Sequence, residues 1–350
     1  MQRSRARRGI RLLMVSVGAV TGASLVALTP PAHADEPLFV PWSDLLPGFT
    51  TGYDPSSAND CTSGKVKCVD SVIKEMTKRF NPLADACDHN SMFALTYLRT
   101  TEEYRRSATA PGFFSDPAFI NHQDAVFARY YFDAWDAHRS GDLAQVSPSW
   151  RIALDNADGR KVSGAGNLLL GMSAHVNRDL PMVLADIGLV KPDGSSRKPD
   201  HDKVNQFLNL VMEPLFDEAA ARFDPTVDDS QIDGTTLDET AMLQILVGWR
   251  EQAWRNAEAL VSAPTEAARL MVLSGIERQA AIEAHLITVA TAYSSVNAQA
   301  ALAQLAALAA PPERTLQAQV DRTVNVARGV LGGLFTSAAS ARDAYCAAHG

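Results

Sequence analysis

Apolar residues recur along most of this chain at the three-and-four spacing of an α-helix. Val69, Val72, Ile73, Met76 and Phe80 fall on one face of a first helix, expected to end near Phe80. After the turn NPLADACDHN, the positions of Phe93, Tyr97 and Tyr104 predict a second. Asp116 before Pro117 is a helix start with proline at the first helical position, and the run continues through Val126, Phe127, Tyr130, Ala134 and Trp135 to Gly141. A further helix is predicted over 202–223, striped by Val204, Phe207, Leu208, Val211 and Leu215 and bent at Pro214. Thr236 and Glu239 read as a capping box ahead of Met242, Leu246, Trp249, Ala253 and Leu260, and another helix follows over 265–292. No segment alternates as a strand would. The expectation is an all-α orthogonal bundle of about eight to ten helices without significant sheet. It comprises residues 61–350, after an extended lead-in at 35–60, with a soft boundary at the polar loop 191–200.

One apolar stretch departs from this pattern in chemistry. LLLGMSAHVNRDLPMVLADIGL, residues 168–189, holds a histidine and two aspartates where a core helix is expected, broken or bent at Pro181. His175 and Asp179 stand at i and i+4 on one face, with Leu168, Met172, Met182 and Asp186 above and below. A buried carboxylate requires a proton, a cation or a metal beside it. His175 can be that partner, or can share zinc or another divalent metal with Asp179. Asp88 and His89, beside Cys87, are the further candidate ligands. His122, Asp124 and His285 read as surface or helix-end residues, and Arg178 as a surface charge or salt-bridge partner.

The combination CDHNSMFALTYLRTTEEY, WRIAL and LLGMSAHVNRDLP resembles a family of mostly actinobacterial exported proteins known only as a domain of unknown function. That resemblance implies a helical fold and brings no activity. The His175-x-x-x-Asp179 pattern also resembles the metal-ligand helix of bacterial zinc phospholipases C and fungal zinc nucleases. Those families place further histidines shortly after the aspartate, where this chain has Pro181 and Ala185, and use an N-terminal tryptophan where Asp35 is expected here.

The first residues set the compartment. Five arginines precede an uncharged run from Leu12 to Leu28 and the triplet Ala32-His33-Ala34, which reads as a signal peptide over 1–34 cleaved before Asp35. The run is too short for a transmembrane anchor, and the mature protein is expected to be secreted or held in the cell envelope. Loss of the five arginines leaves 27 basic against 40 acidic side chains, a net charge of −13 that disfavours nucleic acid as a partner. Cys61, Cys68, Cys87 and Cys346 remain, and in an oxidising compartment they predict two disulfides. A helix from Cys68 to Phe80 spans about 18 Å, which separates Cys68 from Cys87 and selects Cys61–Cys68 and Cys87–Cys346. The stretch Asp229–Thr240 has Asp233-Gly234 in calcium-loop register, yet Gln231 and Thr240 occupy ligand places.

Three functions compete on these residues. The first is a metal-assisted hydrolase with catalytic His175 and Asp179. The second is a non-catalytic protein that binds a hydrophobic small molecule in the same pocket, whose apolar wall in either case comes from the aromatic helices containing Tyr97, Tyr130 and Trp254. The third is a structural or surface-interaction protein whose polar pair only organises the core. Two or more further carboxylates or imidazoles within about 5 Å of His175, beside a cavity, favour the first; a cavity without them favours the second.

Overall fold

The computed structural model describes residues 46–227, 237–308 and 339–350. The signal peptide, most of the calcium-like stretch, the capping side chains of Thr236 and Glu239, and the first part of the lead-in lie outside these residues. The described residues all belong to one compact unit, Leu38–Gly350. The helices are α1 (Val66–Asp85), α2 (Ser91–Ala108), α3 (Pro117–Ser140), α4 (Pro148–Asp158) and α5 (Gly164–Ser173). A π-helical turn (Ala174–Asp179) then leads into α6 (Leu180–Ile187). After it come α7 (Lys198–Arg222), α8 (Leu237–Ser262), α9 (Glu266–Thr291), α10 (Ser295–Leu308) and α11 (Ala339–His349). Among the described residues there are only two isolated β-bridges, Val162 with Ala292 and Val190 with Ser196, so the fold is all-α as the periodicity predicts.

Local signals place most helix ends. The Asp116 carboxylate accepts from the Phe119 amide, and Gly141 closes α3 in the left-handed conformation. Thr265 caps α9 through the Ala268 amide at 3.1 Å. The first helix runs further than expected. It passes through Pro82 to Asp85, because Leu83 and Ala84 are buried and hold the last turn against the core despite the lost hydrogen bond.

Both expected disulfides are present. Cys61–Cys68 closes its loop at Gly64, whose φ of +69° and whose closeness to the Ala118 carbonyl, 1.8 Å from where a Cβ would stand, exclude a side chain. Cys87–Cys346 joins the turn after α1 to α11. The core is aromatic around Phe119, Phe132, Trp135 and Trp150, each fully buried and contributing about 2–3 kcal/mol or more from area alone. The π turn lies at its centre, against α3, α4, α8 and α9.

Candidate functional site

The π turn sets the site. In unbroken α register the ring of Pro181 would press on the carbonyl four residues earlier. A widened turn over Ala174–Asp179 relieves this, and Pro181 falls in the first turn of α6. The helix therefore continues past Pro181 through a change of register rather than a break. His175 and Asp179 stay on one side and both are buried, at 3% and 0% exposure.

Asp179 is neutralised by the protein itself. Its Oδ2 accepts from Trp150 Nε1 at 2.8 Å and faces His175 Nδ1 at 3.0 Å, while Oδ1 accepts from Arg178 Nη1 at 3.0 Å. Arg178 also bonds Glu277 at 2.8 Å, so the guanidinium is shared between two acids. Burial holds the His175 pKa below its usual value, with Asp179 pulling the other way. In the neutral ring the nitrogen beside the carboxylate carries the proton, so Nδ1 donates to Asp179 and Nε2 presents a lone pair. Phe127 stacks on this ring at 3.5 Å and 7°, and Tyr97 lies edge-on at 4.6 Å. Phe93 reaches the same cluster because Gly171 leaves it room: a Cβ there would stand 2.2 Å from the Phe93 ring.

A cavity of about 110 Å³ adjoins the histidine, bounded by α2, α3, α7, α8 and the α5–π segment. Its wall is mainly apolar, including Phe127, Phe207 and Leu208, and is interrupted by Tyr97, Asp124, His175 and Arg250. Three buried polar atoms in that wall have no hydrogen-bond partner among the described residues: Tyr97 Oη, Asp124 Oδ2 and His175 Nε2. Asp124 as a residue is only partly covered, yet Oδ2 is shut off from solvent, and burial raises its pKa to about 8. Asp124 is thus no surface or helix-end residue. The signal for it is one carboxylate on the same face as Ile120 and Phe127, at i−4 and i+3.

The other sequence candidates are spent elsewhere. His89 is buried, with Nε2 at 2.9 Å from Asp343 and Nδ1 at 3.1 Å from Arg342, and burial followed by the Arg342 charge lowers its pKa to about 4. It borders a separate, much smaller cavity with Asn167 and Gly171. Asp88 accepts from the Asn90 amide at 2.8 Å and pairs with Arg139 at 3.4 Å. Among the described residues no three His, Cys, Asp or Glu are grouped as a metal would require, so Asp88 and His89 do not complete a ligand set with His175 and Asp179. His122, also expected at the surface, is fully buried between the carbonyls of Cys61 (2.9 Å) and Thr51 (2.8 Å). His285 is half-buried. The helices of Tyr130 and Trp254, α3 and α8, line the cavity as expected, but through other residues: Tyr130 bonds Asp186 at 3.1 Å and Trp254 packs on His201 at 5.2 Å. No helix among the described residues is long and apolar enough to cross a membrane.

Residues 69–290, from α1 to the last turn of α9, match the model of a family described as a family of unknown function (DUF5995). No curated protein and no solved structure matches the chain.

Proposed function

The chain belongs to this family of unknown function, and from its cavity we propose that the protein is a receptor for a hydrophobic small molecule with a hydroxyl or amide that donates a hydrogen bond to His175 Nε2. The observation that carries this reading is the apolar cavity with three unpartnered polar atoms in its wall. Each such atom costs about 1–3 kcal/mol when left unbonded. A ligand hydroxyl or amide bonded to His175 Nε2 removes that cost at the histidine. The free volume, about 110 Å³, is comparable with apolar protein cavities that admit a single aromatic ring or a short alkyl chain. Two disulfides fit an oxidising compartment, and the leader read at 1–34 would deliver the receptor outside the cytoplasm.

A second reading is favoured by one observation, the orientation of His175 by Asp179. A neutral imidazole whose Nδ1–H is fixed on a buried carboxylate leaves Nε2 as a general base, and the bound molecule would then be a substrate. Metal-assisted hydrolysis finds less support, since both oxygens of Asp179 are already bonded to Trp150, His175 and Arg178. Calorimetric titration with octanol tests the main reading. Wild-type protein should bind it saturably, and Val204→Phe, which fills the cavity from its half-buried wall, should weaken binding at least tenfold. Equal, non-saturating heats for both proteins would end the proposal.

A further inference from the structure

The same cavity wall holds a charge that has no counter-ion among the described residues. Arg250 is 6% exposed and lines the cavity beside Val204, Leu208 and Leu246. Its bonds go to neutral groups: Nε donates to Asn205 Oδ1 at 2.8 Å and Nη2 to the His201 carbonyl at 2.6 Å. Among the described residues no carboxylate lies within ion-pairing distance of it. Asp202, the acid whose charge reaches Arg250, is occupied by Lys198 at 2.8 Å. His201 packs against the guanidinium and is held neutral, by burial first and by the Arg250 charge second. Asp124, elsewhere in the wall, keeps its proton at neutral pH through burial and supplies no counter-charge. Burial lowers Arg250 itself only to about 10, so the cation persists.

A guanidinium removed from water and left without an anion is a costly arrangement, and it persists where an anion arrives from outside. We infer that the ligand of this cavity is an amphiphilic monocarboxylate that also carries the donor group for His175, with its carboxylate on Arg250 and its apolar chain among Val204, Phe207 and Leu208. One planar fork and no second cation in the wall match a singly charged planar carboxylate better than a phosphate. This inference rests on the receptor reading above and adds the ligand class to it.

The test is a calorimetric comparison of octanoate with octanol at neutral pH, on the full chain. Wild-type protein should bind octanoate at least tenfold tighter than octanol. Arg250→Gln should lose that preference while still binding octanol, and Arg250→Lys should recover part of it. If wild-type protein binds both equally, the carboxylate assignment is wrong and the receptor reading survives. If it binds neither, the receptor reading fails and takes this inference with it. Thermal melting shows whether Arg250→Gln folds; should it not, the wild-type pair of ligands decides the question unaided.

Discussion

Asp124 is the residue at which stability and ligand binding oppose each other. Its carboxyl pKa is raised by burial to about 8, against 3.8 in an open chain. Above 3.8 the unfolded chain releases this proton while the folded protein keeps it, so the contribution of Asp124 to stability falls as pH rises from about 4 to about 8. Asp124→Asn should therefore raise stability at neutral pH by about 1 kcal/mol or more, and urea unfolding at two pH values measures it. An unchanged midpoint at neutral pH would mean that the group is solvated. Asp179, by contrast, has both oxygens bonded within the protein. Asp179→Ala leaves Trp150 Nε1 and His175 Nδ1 without their partner in the core and should cost about 1–3 kcal/mol for each in the same assay. The His175 and Asp179 pair is legible in the sequence because two ionisable groups at i and i+4 interrupt an apolar run. Asp124 is harder to read, since a single acid on a long amphipathic helix has the same local pattern whether it meets water or a cavity.

At the scale of elements, the helix periods and the all-α class follow from apolar spacing, and the two ends of α3 from Asp116-Pro117 and Gly141. The π turn does not, because apolar spacing alone does not distinguish a widened turn from an α turn, and Pro181 signals only that the ladder changes there. The end of α1 is missed for a related reason: Pro82 argues for a stop locally, and the burial of Leu83 and Ala84 overrides it. Gly171 is the fixed point between these elements. Gly171→Ala sets a methyl 2.2 Å from the Phe93 ring, so the ring must move against His175. A loss of about 1–3 kcal/mol is expected, together with weaker ligand binding. Thermal melting and titration of that variant check it, and native behaviour in both would show that the contact is not tight.

Across the whole molecule, three buried histidines set the acid limit. His89 is lowered to about 4, His175 below its usual value and His201 well below it, each chiefly by burial. Each is neutral in the fold and titrates near 6.5 when unfolded, so the stability they contribute is complete above about 6.5 and is lost as pH falls toward 4. Measured in the Asp124→Asn background, which removes the largest opposing slope, the unfolding free energy should decline over that window; a flat profile would contradict the burial of these rings. The Cys87–Cys346 bridge spans 259 residues and keeps α11, with Arg342 and Asp343, on His89. Its removal by Cys346→Ser should cost about 2–5 kcal/mol. The pairing was readable from helix length, whereas the docking of α11 on His89 depends on contacts 253 and 254 residues apart.

Histidine-selective nitrogen NMR on the protein titrated with octanol reaches the central claim most directly. His175 should show a neutral ring with the proton on Nδ1, and the Nε2 resonance should shift saturably as the ligand hydroxyl bonds to it. An Nε2 that already carries the proton, or a resonance unmoved at saturating octanol, would contradict the account.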